Sequence, residues 1–321
     1  MGGGAPPGAV LLDRRQPTGG IGEGRRPAAP GRHPVSCGPR GPGPRERRVP
    51  VEPGLALRVH ERGDGPTLLL LHGFTGSVEA WGEALLDGLA CRHRVLAVDL
   101  HGHGRSDAPT DPARLDMLRV VDDLVAVLDA AGARRATWIG YSMGGRVALA
   151  AAVLRPERVE RLVLESASPG LATPEERSLR REQDEALAAS LEREGLEAFV
   201  DRWMALPLFA SQRRLPAEVR EGERRRRLAN RPAALAASLR GMGAGSQPSF
   251  WEALAGVAAP TLLLTGEEDA KFRALADAMA ARLPDALRRD VAGAGHAVHL
   301  EAPEAWLEAV RSFVEPSAAA P

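Results

Sequence analysis

Short apolar runs recur along the chain, and each has the length of a β-strand. The clearest is TLLLL at 67–71, an unbroken apolar run typical of a strand buried on both faces of a sheet. Strands are predicted at 55–60, 67–71, 94–99, 136–141, 162–165, 261–265 and 286–291. Residues with helical spacing lie between them, and helices are predicted at 117–130, 144–154, 271–282 and 303–314. Strands that alternate with helices imply a mostly parallel sheet in an α/β fold.

One long stretch interrupts this alternation. Residues 170–250 contain no convincing buried strand and are rich in Glu, Arg and Ala. Prolines break this stretch at Pro174, Pro207, Pro216 and Pro232. An insertion of this size is too long for a plain loop. We predict a helical cap over the carboxyl edge of the sheet, where open α/β sheets bind ligands, and a core made of residues 51–169 and 251–315.

The first fifty residues have a different composition from the rest. They hold nine Arg against three acidic residues, 12 of the 35 Gly and 10 of the 26 Pro, and no aromatic residue. Such a segment buries too little apolar surface to compensate for its ordering entropy, so residues 1–50 are predicted to be a disordered extension. A basic interaction tail and a transit peptide are the functional alternatives, and the scarcity of Ser argues against the second. We favour the interpretation that it is an unselected extension.

Composition excludes several classes of protein. The 42 basic and 42 acidic residues balance, which argues against a general nucleic-acid binder. Two cysteines, Cys37 and Cys91, are too few for a disulfide framework. No apolar run approaches the ~20 residues of a membrane span, and none near the start resembles a signal-peptide core. We therefore expect a cytoplasmic protein with no membrane span and no nucleic-acid partner.

The first candidate for chemistry is the sequence GYSMG at 140–144. It follows a predicted strand and opens a predicted helix. In such a turn a Ser exposes its Oγ, and small residues two positions before and after relieve the crowding. The alternative is an ordinary strand-to-helix turn with Ser142 as a cap. The context favours a nucleophile elbow.

A reactive Ser needs a base, and the base needs an acid that orients it. The expected chain order is Ser, acid, His. Asp269 follows the predicted strand 261–265, and His296 lies in a glycine-rich loop after 286–291. The competing residues are Glu267 and Glu268 for the acid and His299 for the base.

Two other loops follow predicted strands. The sequence HGF at 72–74 ends the TLLLL strand, so the backbone N–H groups of Phe74 and Met143 could form an oxyanion hole. His101 and His103 follow the next strand. Two histidines without a further cluster make a poor metal site, so both are interpreted as loop residues and no metal is expected.

These motifs, in this order, resemble the α/β-hydrolase superfamily over residues 51–315. The matching sequences are LLLLHGFTGS, VDLHGHGRSD, GYSMGGR, TGEEDAKF and AGAGHAVHLEAP. The cap sequences EERSLRREQD, FVDRWMALPLFAS and RRLANRPAALAASLRGMGAGSQPSFW are more specific. With GYSMGGR and GEEDAKF, they resemble the 2-succinyl-6-hydroxy-2,4-cyclohexadiene-1-carboxylate synthase family of menaquinone biosynthesis.

The resemblance implies a lyase that needs no cofactor. It would eliminate pyruvate from 2-succinyl-5-enolpyruvyl-6-hydroxy-3-cyclohexene-1-carboxylate, a small polycarboxylate. The family roles fall on Ser142, Asp269 and His296 as the triad, on Arg146, Arg180 and Arg227 as carboxylate-binding residues, and on Tyr141 and Trp203 as aromatic pocket residues. Neighbouring arginines give alternative registers in the cap, namely Arg177, Arg181, Arg224, Arg225 and Arg226.

The residues themselves are compatible with such a substrate. Arginine forks bind carboxylates in bidentate fashion, and Arg146, four residues after Ser142, shares its helix face. For each single cap arginine, a solvated helix face with glutamate partners is an equally good interpretation. Two other functions stay open: a serine hydrolase of a small anionic ester or carbon–carbon bond, and a non-catalytic binding protein, which predicts a broken triad.

Overall fold

The computed structural model describes residues 43–109 and 111–315 as eight strands and ten α-helices. The strands are β1 (Arg45–Glu52), β2 (Leu55–Arg62), β3 (Thr67–Leu71), β4 (Arg94–Val98), β5 (Ala136–Tyr141), β6 (Val159–Glu165), β7 (Thr261–Gly266) and β8 (Ala286–Val291). The helices are α1 (Gly82–Ala90), α2 (Met117–Ala130), α3 (Met143–Leu154), α4 (Pro174–Glu194), α5 (Leu196–Met204), α6 (Ala217–Leu228), α7 (Pro232–Met242), α8 (Ala270–Ala280), α9 (Val298–Glu301) and α10 (Pro303–Val314).

All eight strands form one sheet in the order β1-β2-β4-β3-β5-β6-β7-β8. The strands from β3 to β8 run parallel to one another, whereas β1 and β2 pair antiparallel at one edge. The predicted α/β fold with a mostly parallel sheet is confirmed. Since parallel strands share one carboxyl edge, the loops after β3, β5, β7 and β8 are brought to the same side of the sheet.

The apolar strands are buried on both faces. Leu69 and Leu71 of β3 pack into one core cluster with α2 and α3, and Leu68 and Leu70 pack into a second cluster with α1 and α10. Alternate side chains point to opposite faces, so a strand covered by helices on both sides needs an unbroken apolar run. Helix α2 has the predicted bounds, although Leu118 of its predicted apolar stripe is 41% exposed.

The expected boundary at residue 50 is wrong for residues 45–50, because β1 begins at Arg45. Val49 is the one buried side chain of this strand, so the apolar pattern gives no signal. Ion pairs and the backbone ladder to β2 hold it instead, with Arg47 3.1 Å from Glu61 and Arg48 2.7 Å from Asp107. Charged side chains are typical of edge strands. Residues 1–42 of the predicted disordered extension lie outside the described residues.

Helices α4 to α7 form the insertion between β6 and β7, which we call the cap. No strand interrupts the cap in the part of the chain that the structure describes. Its prolines lie where helices start, because proline fits the first turn without losing a hydrogen bond. A small apolar cluster of its own, including Phe199, Leu235 and Leu239, holds the cap together. Across residues 43–109 and 111–315, no helix is long and apolar enough to span a bilayer.

Candidate active site

Ser142 occupies a strained turn between β5 and α3. Its backbone has φ 50° and ψ −106°, a region that side chains other than glycine rarely adopt. The turn is tight enough to exclude side chains on both sides of it. A Cβ on Gly140 would lie 2.3 Å from the carbonyl oxygen of Gly144, and one on Gly144 would lie 2.1 Å from that of Leu71. The sequence pattern around Ser142 is therefore a steric requirement of the elbow.

A line of hydrogen bonds joins Ser142, His296 and Asp269. The imidazole Nε2 lies 3.1 Å from Ser142 Oγ, and Nδ1 lies 2.6 Å from Asp269 Oδ2. Asp269 also caps α8, where its carboxylate accepts the Phe272 N–H at 3.3 Å. This arrangement can draw a proton from the hydroxyl to the imidazole while the carboxylate fixes the ring tautomer.

The three competing residues are engaged elsewhere. Glu268 forms an ion pair with Arg214 at 2.8 Å, and Glu267 accepts the N–H of Gly293 at 3.2 Å. His299 Nδ1 bonds Glu165 at 2.7 Å. The geometry therefore places Asp269 and His296, and none of their competitors, beside Ser142.

The chain after β3 passes directly beside Ser142. A Cβ on Gly73 would lie 3.6 Å from Ser142 Cβ and 2.6 Å from the Tyr141 ring. His72 fixes this loop, since its Nε2 accepts the Leu100 N–H at 3.0 Å and its Nδ1 donates to the Gly73 carbonyl at 2.7 Å. Burial lowers the pKa of His72 to about 4, so the ring is neutral. Phe74 lines the cavity at Ser142, as does Met143, whose N–H lies in the first turn of α3.

Ser142 and His296 open into a cavity of about 250 Å³ between the cap and the sheet edge. Four cationic side chains line it, those of Arg146, Arg180, Arg227 and Lys271. No Asp or Glu among the described residues does so. A cavity with several cations and no lining carboxylate favours a ligand with several negative charges.

Arg146 is a partly buried residue of the cavity lining and is held by neutral groups. It donates to Gln247 Oε1 at 2.6 Å and to the Met242 carbonyl at 3.0 Å. Burial, aided by the nearby charge of Arg180, lowers the pKa of Arg146 to about 10, so it stays protonated near neutral pH. Neutral acceptors orient the guanidinium without cancelling its charge.

The cap arginines in the predicted register reach the cavity. Arg180 Nε donates to Asp184 at 2.7 Å, and Arg227 donates to Thr75 Oγ1 and lies 3.6 Å from Glu223. Burial lowers the pKa of Arg227. The alternative arginines do not line the cavity and have other partners: Arg177 with the Leu171 carbonyl, Arg181 with the Gly245 carbonyl, Arg224 with Asp201, Arg225 with Glu221 and Arg226 with Glu223.

The two predicted aromatic residues line the same cavity. Trp203 stacks on Phe199 and meets Phe74 edge-on, with ring centroids 5.8 and 5.2 Å apart. Its buried Nε1 has no hydrogen-bond partner within the described part of the chain. Burial, and then the charge of Glu165, raises the pKa of Tyr141 well above its usual value. The indole N–H of Trp203, which has no partner among the described residues, is available to donate to a ligand.

Sequence reasoning missed three residues of this region. Gln247 lies 101 residues from the arginine it orients, and no local pattern marks it. Lys271, which lines the cavity, is the chain's single lysine, and this was a usable signal. Glu165 closes β6, where its buried carboxylate accepts from His299 Nδ1 and from Trp306 Nε1 at 2.8 Å. A charged residue at the end of an apolar strand was the signal for Glu165.

His101 and His103 are structural residues of the loop after β4. His101 Nε2 lies 2.7 Å from Asp123, and His103 Nδ1 donates to the His101 carbonyl at 3.0 Å. Within residues 43–109 and 111–315, no group of three or more His, Cys, Asp or Glu side chains is arranged to hold a metal ion.

The sheet order, the elbow and the cap define the class of protein. A family model described as the alpha/beta hydrolase fold matches residues 66–303. The chain is an α/β-hydrolase-fold protein.

Relatives narrow the class further. The chain is 41% identical over 268 residues to a Bacillus subtilis (strain 168) protein provisionally named 2-succinyl-6-hydroxy-2,4-cyclohexadiene-1-carboxylate synthase, covering 83% of this chain and 97% of the relative. It is 35% identical to the synthase of that name from Salmonella agona (strain SL483) over 249 residues, or 78% and 94% of the two chains. The structure of MenH from S. aureus superposes with a TM-score of 0.77 at 32% identity, covering 80% of this chain and 97% of that one. The chain belongs to this synthase family.

Proposed function

We propose that the protein is a lyase of menaquinone biosynthesis. It converts 2-succinyl-5-enolpyruvyl-6-hydroxy-3-cyclohexene-1-carboxylate to 2-succinyl-6-hydroxy-2,4-cyclohexadiene-1-carboxylate and pyruvate. We expect it to act in the cytoplasm, on the sequence grounds given above. The conversion moves a proton and a leaving group without net oxidation, so no cofactor has a role.

One observation carries the proposal. Ser142 and His296, which are hydrogen-bonded to each other, line a cavity together with four cations, and Asp269 is bonded to His296 from behind. No Asp or Glu among the described residues lines this cavity. The proposed substrate carries three carboxylates, and the three arginines of the lining offer positive charges to them. A pocket built for a neutral ester has no need of four lining cations. The relatives named above support the same assignment.

In the proposed mechanism Ser142 acts as a base and not as an acyl acceptor. His296 takes the hydroxyl proton, and Asp269 stabilises the imidazolium that forms. The Ser oxygen then removes the ring proton α to the succinyl carbonyl. The N–H groups of Phe74 and Met143 stabilise the enolate oxygen, where negative charge develops.

The elimination balances without another reactant. The electron pair released at the α carbon forms the first ring double bond, and the existing double bond shifts along the ring. The bond from the ring to the enolpyruvyl oxygen breaks, and the leaving enolate is protonated to pyruvate. The proton taken up by His296 is available for that step. Arg146, Arg180 and Arg227 hold the carboxylates so that the ring proton faces Ser142.

The test supplies the cyclohexene substrate and follows pyruvate with a coupled dehydrogenase. The proposal expects rapid, enzyme-dependent pyruvate release and slow turnover of neutral aryl esters. Rapid aryl ester hydrolysis without pyruvate release would instead establish the serine hydrolase alternative.

A further inference from the structure

Lys271 is an exposed residue that lines the cavity, and the proposed mechanism gives it no role. Its ammonium lies 5.5 Å from the centroid of the Phe272 ring, which lies 4.6 Å from that of His296. Within residues 43–109 and 111–315, Lys271 has no carboxylate within the 4.0 Å ion-pair distance. By contrast, Arg273 on the same helix pairs with Asp290 at 3.2 Å. Lys271 is therefore a cation without an acidic partner among the described residues.

The sequence gives Lys271 a second distinction. The chain has 42 Lys and Arg residues, and Lys271 is its single lysine. The remaining cations that line the cavity are all arginines. Lysine differs from arginine in presenting a compact charge on a flexible stem, without the planar fork that suits a fixed bidentate contact.

The position of Lys271 is also unfavourable for the helix that carries it. Lys271 is the second residue of α8, and Asp269 caps the start of this helix. The amino-terminal end of a helix carries partial positive charge, so a cation there is repelled. A residue that opposes its local structure and has no acidic partner in the described part of the chain is expected where function requires it.

We propose that Lys271 is a substrate-binding residue that captures a carboxylate of the incoming polyanion at the cavity opening and passes it to the arginines of the lining. This inference rests on the proposed function and adds a fourth cation to it. Because the charge is exposed, it acts on the encounter with substrate, and its effect is screened by salt.

The first test compares Lys271→Gln with Arg273→Gln. Both variants remove one positive charge from α8, but Arg273 does not line the cavity. Lys271→Gln is expected to lower kcat/KM about threefold to tenfold at low ionic strength, with kcat within about twofold. The loss should shrink at high salt and be reversed in Lys271→Arg. The Tm of Lys271→Gln should equal or exceed that of the wild type, because this variant no longer carries the unfavourable charge at the start of the helix.

Two outcomes of this comparison overturn the inference. In one, Lys271→Gln and Arg273→Gln have the same kcat/KM at low salt. In the other, Lys271→Gln loses activity without salt dependence and with a lower Tm, which indicates a structural role. If the wild type itself releases no pyruvate, the proposed function fails and this inference with it. If the wild type is active and Lys271→Gln has the same kcat/KM, this inference fails and the proposed function stands.

A second measurement does not depend on turnover. With one lysine in the chain, an amine acetylating reagent modifies Lys271 and the amino terminus, and peptide mass spectrometry separates the two. In the Ser142→Ala variant, saturating cyclohexene substrate should slow acetylation of Lys271 at least about fivefold and leave the amino terminus unaffected. Equal acetylation rates with and without bound substrate would contradict the inference.

Discussion

The guanidinium of Arg146 donates to the side-chain oxygen of Gln247 at 2.6 Å, so a neutral amide and not a carboxylate orients this cation of the cavity. The second acceptor, the Met242 carbonyl, is also neutral. Two neutral acceptors fix the direction of the charge and leave it available to a ligand anion.

Exchanging this amide for a carboxylate should therefore disable the cavity without disturbing its shape. In Gln247→Glu a carboxylate pairs with Arg146, and we expect KM for the cyclohexene substrate to rise about tenfold or more with a Tm near that of the wild type. Gln247→Leu is the matched variant: it leaves a buried donor unsatisfied and should cost about 1–3 kcal/mol of stability. Wild-type KM in Gln247→Glu would show that the charge of Arg146 is not used.

Removing Arg146 itself should weaken both substrate binding and turnover. The expected result for Arg146→Ala is a higher KM together with a lower kcat, because the same side chain binds a carboxylate and orients the reacting proton. Arg146→Lys should recover part of the loss, since lysine keeps the charge but lacks the planar fork. Steady-state kinetics of pyruvate release check both variants, and unchanged constants in Arg146→Ala would remove the argument for an anion pocket.

The elbow should tolerate no side chain at position 144. In Gly144→Ala the new Cβ would lie 2.1 Å from the backbone oxygen of Leu71, so β3 and α3 cannot both keep their places. We expect a large loss of folding stability, measured by thermal or urea unfolding. Gly256→Ala is the control, because a Cβ there meets no heavy atom within 4 Å, and its Tm should stay close to that of the wild type. Equal unfolding curves for the two variants would contradict the close packing of the elbow.

Two buried neutral histidines should make the fold sensitive to mild acid. Burial lowers the pKa of His72 to about 4 and that of His103 to about 3, from the usual 6.5. The unfolded chain therefore binds more protons below pH 6.5, and stability falls as pH falls from there towards these values. Each histidine contributes at most about 1.4 kcal/mol per pH unit.

The variant His103→Asn tests this dependence, because its amide can still donate to the His101 carbonyl. Between pH 6.5 and pH 4, the free energy of unfolding should fall less steeply in this variant than in the wild type. Parallel curves in urea unfolding at several pH values would mean that His103 is not held neutral by burial.

The sequence predicts the three triad residues better than the other residues of the cavity, for a physical reason. Ser142, Asp269 and His296 follow β5, β7 and β8, and parallel strands bring their carboxyl ends together. In contrast, Arg180 cannot be separated from Arg177 or Arg181 by helical spacing alone. The choice depends on how α4 packs on α7, which is a tertiary contact. Strand β1 was missed because an exposed, ion-paired edge strand carries no apolar pattern.

The central claim is that Ser142, activated by His296, removes the substrate's proton inside the cationic cavity. Its most direct test is the rate of pyruvate release by Ser142→Ala compared with the wild type, at saturating cyclohexene substrate. The account predicts a loss of about 10³-fold or more in kcat, which His296→Ala matches and the double variant does not deepen, because the residues act as one unit. Pyruvate release by Ser142→Ala within about tenfold of the wild-type rate would contradict it.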